Sequence, residues 1–148
     1  MNSESKLKEI AMNCTCFNIR KAARVITQLF DETLKPSGLR ITQFTVLVGI
    51  SIVGKVTVSQ LARRLVMDRT TLTRDLRPLE KQGLVRIVEG EDRRTRLLAL
   101  TPHGHEVLTK TLPKWEKAQA RVLHGLGEKR WGALLGNLSA IVSMGRVA

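Results

Sequence analysis

The side chains with the most to offer chemically lie between Asp68 and Gln82. At about 100° per residue, the helical period, Thr70, Thr73, Arg74, Arg77 and Lys81 share one face. Leu72, Leu76 and Leu79 form a stripe on the other side. The outer face has no carboxylate, because Asp75 falls on the flank nearer the leucines. An ordinary solvated helix mixes both charge signs on its wet side. Here the face offers guanidinium groups, hydroxyls and methyls. Arg can pair bidentately with guanine O6 and N7, and Thr can touch a thymine methyl or bond a phosphate. A merely solvated face is the plain alternative.

A second basic group follows in Glu89-Gly-Glu-Asp-Arg-Arg-Thr-Arg96. Arg93, Arg94 and Arg96 suit the enhanced negative potential of a narrow minor groove. Asp92 is expected to orient the Arg94 guanidinium through a bidentate pair. A hydrophilic loop is the alternative.

Two thiols, Cys14 and Cys16, are candidates for redox sensing. If both lie on one helix they point about 200° apart, which is wrong for an intrahelical disulfide. Cys16 continues an apolar stripe and is expected to be packed. Cys14 lies off that stripe and is expected to be more exposed, with Arg20 and Lys21 near enough to favour a thiolate. Ordinary packing, or a bystander thiol, is the alternative for both. His103, His105 and His124 make no tetrahedral set with these cysteines, so no metal is expected. There is no Gly-rich phosphate loop, no Ser/His/Asp signature and no zinc-binding helix motif. The expectation is therefore no cofactor and no enzyme.

The elements that must position these groups can be read from caps and periodicity. Asp68 is a good N-cap for the Thr/Arg helix and Gly83 a good stop. Before it, Thr57-Val-Ser-Gln60 fits a capping box, and Val58, Leu61, Ala62 and Leu65 form an apolar stripe. Val66 and Met67 are the short joint, so the pair reads as a helix-turn-helix. Leu84 to Val88 and Arg96 to Leu100 are β-rich and flank the charged tip, as in a hairpin. Following the helix pair directly, that hairpin reads as a wing. The candidate DNA-binding residues are Ser59, Arg69, Thr70, Thr71, Thr73, Arg74, Arg77, Asp92, Arg93, Arg94 and Arg96.

The flanks are helical. One helix is expected from Met12 to about Leu34, ending before Pro36-Ser-Gly38, and another from Thr42 to about Val53. Thr101 with Pro102 opens a long helix, with a kink expected at Pro113. A last helix carries Trp131, Leu134, Leu135, Leu138, Ile141 and Val142. Terminal helices this apolar predict a twofold dimer, although closing a monomeric core is the alternative.

These residues resemble a known family. Gln43, Leu61-Ala62, Asp68-Arg-Thr-Thr-Leu-Thr-Arg74, Leu79-Glu-Lys-Gln-Gly-Leu84, Asp92-Arg-Arg94 and Leu100-Thr101-x-x-Gly104 are similar to the MarR family of winged-helix regulators. The resemblance covers almost the whole chain and is most specific from Asp68 through Gly104. It implies a dimeric transcription factor, often a repressor released from DNA by a phenolic ligand, a metal or an oxidant. It places the recognition helix at 68–82 and the wing's Asp-x-Arg at Asp92 and Arg94. Pro78 inside the recognition helix departs from the pattern. It withholds an N–H from the Arg74 carbonyl, which predicts a bend and puts the reach of Arg77 and Lys81 in question.

Composition is consistent with this. The 148 residues are 43% hydrophobic, enough for one domain with a real core. The formal net charge is +12, of which residues 55–100, with 11 basic and 6 acidic side chains, hold only +5. The whole body is thus suited to a polyanion, as phosphate neutralisation requires, though a merely basic protein would look the same. There is no 18-residue apolar run and no signal-peptide pattern, which predicts a cytoplasmic protein without membrane contact.

The expected fold is mainly α with a small β-hairpin, a winged helix-turn-helix. Its order is helix, helix, strand, helix, helix, strand, strand, helix, helix. A single domain spans 1–148, with the DNA-binding lobe at about 55–100 and dimerisation helices at about 1–40 and 101–148. The expected function is sequence-specific regulation, most simply repression, by a homodimer on an inverted-repeat operator in double-stranded DNA. A small-molecule effector pocket is expected among Cys16, Phe17, Phe44 and Val48, residues equally suited to a core. The alternatives are a cytosolic thiol redox sensor using Cys14 and Cys16 whose main output is not DNA binding, and an architectural DNA-binding protein with little sequence preference.

Overall fold

A computed structural model describes residues 2–146. Its elements are α1 (Ser3–Asn13), α2 (Thr15–Leu34), a short 3₁₀ turn (Lys35–Ser37), α3 (Ile41–Val53), α4 (Val58–Leu65), α5 (Arg69–Lys81), β1 (Val85–Glu89), β2 (Arg96–Leu100), α6 (Pro102–Leu126) and α7 (Glu128–Arg146). A mainly helical chain with one antiparallel hairpin is the architecture the sequence predicted.

The core forms where α2, α3 and α6 meet the helix-turn-helix. Phe30 and Leu34 enter it from α2, and Phe44, Val46, Leu47 and Ile50 from α3. Leu61, Leu72 and Leu79 are fully buried from α4 and α5. Each such side chain contributes about 1.5–3 kcal/mol by leaving water. The start of α3 is held from two sides: the Asp31 carboxylate of α2 accepts from the Ile41 N–H at 2.7 Å, and Gln43 Oε1 accepts from the Arg40 N–H at 3.0 Å.

Two expected boundaries differ. The strand expected before the helix-turn-helix is absent. Gly54 (φ 88°) ends the turn after α3 and Thr57 already caps α4, so only Lys55 and Val56 remain. Val56 instead makes an isolated bridge to Leu98, with bonds of 3.1 and 2.7 Å. The expected first helix is also broken at Cys14, whose backbone is extended (φ −66°, ψ 117°). The Asn18 side-chain amide holds this break by donating to the carbonyls of Met12 and Cys14.

The terminal helices find little core in one chain. α1 buries no residue. On α7, Trp131 is half-buried and the other described side chains are exposed. Among the described residues, no single helix is long and apolar enough to cross a membrane.

Candidate nucleic-acid interface

The candidate contact residues are fixed from their caps outward. In α4, Thr57 Oγ1 accepts from the Gln60 N–H and Gln60 Oε1 accepts from the Thr57 N–H, both at 3.1 Å. This capping box starts the helix and leaves Ser59 exposed while Leu61 and Ala62 go inside. The helix stops at Val66, which takes left-handed backbone angles (φ 54°, ψ 44°). A β-branched residue rarely adopts this region. The Met67 N–H then closes back to the Ala62 carbonyl at 2.9 Å, completing the corner.

Asp68 starts α5 by two bonds, accepting from the Thr71 N–H at 2.9 Å and from the Thr71 hydroxyl at 2.6 Å. The Thr71 hydroxyl bond is the main reason the Asp68 carboxyl is held below its ordinary 3.8. The Thr71 backbone bond adds to this, desolvation opposes it, and the Thr70 backbone N–H and the Arg74 charge lower it further. The Thr71 hydroxyl is thereby committed to the helix start. Thr73 donates its hydroxyl to the Arg69 carbonyl at 2.8 Å, which leaves its methyl and oxygen lone pairs for a partner. Leu72, Leu76 and Leu79 are buried as the periodicity requires. On the outer face, Arg69, Thr70, Thr73, Arg74 and Arg77 line one open concavity of about 420 Å³. The helix continues through Pro78 to Lys81, and Lys81 is exposed.

The wing is a two-stranded ribbon running from the Val85–Leu100 pair to the Glu89–Arg96 pair. Its loop is closed by Gly90 N–H to Thr95 O and Thr95 N–H to Asp92 O, both 2.8 Å. Arg93, Arg94 and Arg96 are exposed. Asp92 acts differently from expectation. Its carboxylate accepts from the Arg94 backbone N–H at 3.1 Å and shapes the turn, leaving the guanidinium unpaired with it. A side-chain-to-backbone bond two residues on is the commoner habit of Asp in turns. Among the described residues, the ion pairs are Lys6–Glu9, Lys8–Glu4 and Lys110–Glu106; none involves an arginine of α5 or the wing.

The thiols are placed contrary to expectation. Both are free, Cys14 half-buried and Cys16 exposed. Cys14 lies at the break between helices, so the 200° separation does not apply. Cys16 is uncovered because residues 15–26 are exposed apart from Asn18; the core begins further along α2. Lys21 lies 5.1 Å from the Phe17 ring centre. Among the described residues there is no group of three or more metal-ligating side chains.

Two of the four residues expected to line a pocket do line a cavity. Phe44 and Val48 line a cavity of about 530 Å³, together with Thr45, Gly49, Ile52, Arg64, Leu65, Leu112 and Trp115. Cys16 and Phe17 are not among its walls, for the same reason that Cys16 is exposed. The winged module and the long helix α6 were expected to meet there, but the side chains they supply were not named. Trp115 and Leu112, three apart on α6, carried the available signal.

A capped helix pair with a tight corner, followed at once by a basic hairpin, is a winged helix-turn-helix. A sequence profile of the MarR family matches residues 37–95. The uncharacterised HTH-type transcriptional regulator YwoH of Bacillus subtilis is 30% identical over 105 residues, covering 71% of this chain and 72% of YwoH. The M. tuberculosis transcriptional regulator MosR, solved in complex with DNA, matches with a TM-score of 0.82 and 37% identity, over 91% of this chain and 98% of MosR. A cysteine mutant of E. coli MarR complexed with operator DNA shares the fold, with a TM-score of 0.82 at 22% identity over 90% and 96% of the two chains. The chain belongs to the MarR family of transcriptional regulators.

Proposed function

We propose that this protein is a cytoplasmic, sequence-specific repressor that binds an inverted-repeat operator as a homodimer and is released by a small apolar effector. The observation that carries the DNA reading is the outer face of α5, where three arginines and two threonines share one concavity without a carboxylate. The wing arginines extend it toward a neighbouring groove. The DNA-bound relative lends support, since its fold matches over most of this chain. Reading falls to Thr70, Thr73, Arg74 and Arg77. Ser59, Arg69, Arg93, Arg94 and Arg96 hold phosphates or the minor groove, while Thr71 and Asp92 shape the backbone that presents them.

The dimer reading rests on unpartnered apolar side chains. Phe17, Ile19 and Ile26 of α2, and Leu134, Leu138 and Ile141 of α7, are exposed in a single chain. A twofold pairing of these faces would space two recognition helices about one DNA turn, roughly 34–36 Å, apart. The effector reading rests on the cavity between α3, α4 and α6. A ligand that binds it only in one arrangement of these helices would shift the DNA-competent population.

Anisotropy titrations with increasing salt, on a duplex selected from a random pool and on its scrambled control, test the regulator reading. A preference for the selected duplex that persists as salt rises supports specific reading. Equal affinity at every salt concentration defeats it. Arg74→Ala should relax base preference; a uniform loss on both duplexes makes Arg74 a phosphate contact instead.

The position of the thiols favours a second mode of release. Cys16 is exposed and Cys14 is half-buried beside it at a helix break. A disulfide between them, formed as peroxide takes up two electrons and the two thiol protons to give water, would strain the junction of α1 and α2. Peroxide should abolish DNA binding in the wild type, and Cys14→Ser or Cys16→Ser should resist it. Full sensitivity in both variants removes the thiols from the mechanism.

A further inference from the structure

The recognition helix is tied down at its end. Gln82 closes α5 and Gly83 turns at φ 71°. The Gly83 N–H folds back to Glu80 O and the Leu84 N–H to Leu79 O, both at 2.9 Å. This paired closure satisfies the Leu79 and Glu80 carbonyls near the end of α5. It leaves the carbonyls of Gly83 and Leu84 in need of donors, and a single residue supplies both. Thr101 donates its hydroxyl to Gly83 O and its backbone N–H to Leu84 O.

The same hydroxyl oxygen accepts from the Gly104 N–H at 2.9 Å, which makes Thr101 the N-cap of α6. Gly104 completes the joint by having no side chain, since a Cβ there would lie 2.0 Å from Leu84 O. The far part of α6 packs along α2 and lends Leu112 and Trp115 to the effector cavity. One hydroxyl therefore links the end of the DNA-reading helix to the start of the helix that leads to the cavity and the dimer body.

Resting on the repressor reading above, we infer that Thr101 is a positioning residue for operator recognition. Its hydroxyl fixes the angle at which α5 leaves α6, and so the spacing of the two recognition helices over the operator. The capping role of Thr101 within α6 is separate, and three substitutions divide the two. Thr101→Ser keeps both cap and bridge. Thr101→Asp keeps the cap, because a carboxylate accepts well at that position, but has no proton for Gly83 O. Thr101→Val removes both without adding charge.

The full-length dimer is used throughout, with thermal unfolding to record folding. Affinity is measured on a duplex selected by the wild-type protein from a random pool, on a scrambled duplex, and on versions with half-sites moved apart or together by one base pair. Losing one bond between fixed elements should cost Asp and Val about tenfold on the selected duplex, with scrambled affinity held within roughly twofold. Both should also tolerate altered spacing better than wild type, and Ser should match wild type throughout. The Asp and Ser comparison stands alone should Val fail to fold.

Asp or Val chains that keep wild-type preference for sequence and spacing overturn the inference. So does Ser losing as much as Val. If only Val is impaired, the cap is the whole role of Thr101 and the bridge is refuted. A wild-type protein that selects no sequence defeats the repressor reading itself, and the positioning role with it.

Discussion

Adding one methyl group at Gly104 should be among the costliest single-carbon changes in this chain. The Cβ of Gly104→Ala would fall 2.0 Å from the Leu84 carbonyl oxygen and 3.0 Å from its carbon. Normal contact requires roughly 1 Å of further separation. The strain has two outlets. The first turn of α6 can back away, stretching the two bonds from Thr101 to Gly83 and Leu84, each worth about 1 kcal/mol. Alternatively Leu84, only 2% exposed, can be driven into the core, and overpacking of that kind costs about 1–3 kcal/mol. Ala gains about 1 kcal/mol over Gly in a helix, so the net loss is about 1 kcal/mol by the first outlet and up to about 2 kcal/mol by the second. That is a large share of the ~5–15 kcal/mol that holds a domain together. Urea unfolding of the two proteins at equal concentration measures it. Gly125→Ala is the control, since a Cβ there meets nothing within 4 Å. A Gly104→Ala midpoint at or above wild type, with the control unharmed, would refute the close-approach argument.

Three further outcomes follow from other parts of the structure. Val66→Gly should raise stability by about 0.5–1 kcal/mol in the same urea assay, because it relieves left-handed strain that outweighs the entropy of glycine. Val66 is 62% exposed, so little packing is lost; a lower midpoint would show the corner is unstrained. Asp68 has a folded pKa below its ordinary 3.8, so its ionised cap stabilises the fold above that value and is lost as pH falls through the lower folded one. Asp68→Asn keeps an acceptor that does not titrate, so the stability lost between about pH 5 and about pH 2 should be smaller than in wild type; identical acid profiles would assign that loss elsewhere. Arg94→Ala should weaken binding to a selected duplex by roughly 1–3 kcal/mol without moving the unfolding midpoint. Unchanged affinity would remove the wing from the interface.

The reading unit was legible because its boundaries are chemical. Thr57 with Gln60, Asp68 and Gly83 each announce a helix end, and the three leucines of α5 announce its buried side. Cys14 announced nothing, because an extended residue between two helices needs neither Gly nor Pro. Its support comes from Asn18, four residues on, through side-chain bonds that helical periodicity does not register. The lining of the cavity between α3, α4 and α6 was half legible for a related reason. Phe44 and Val48 lie on the helix whose core face the sequence shows. Cys16 shares the apolar period of α2, but it and Phe17 lie on the first half of the helix, before it reaches the core. Periodicity gives the side of a helix that is apolar, without giving how much of its length a single chain covers. The roles of Thr71 and Asp92 were hidden differently, since each residue type suits DNA contact and backbone capping equally well.

Arginines uncommitted to internal carboxylates affect timing as well as strength. Among the described residues, no ion pair holds Arg74, Arg77, Arg93 or Arg94. Nothing has to be released before these groups meet a phosphate. Arrival on DNA is then a matter of diffusion in the protein's positive field, fast at low ionic strength and slower as salt rises. Such a protein arrives at right and wrong sequences at similar speed. Under the proposed function, what separates an operator from other sequences is how long the protein stays, and dwell time is the quantity a releasing ligand would shorten.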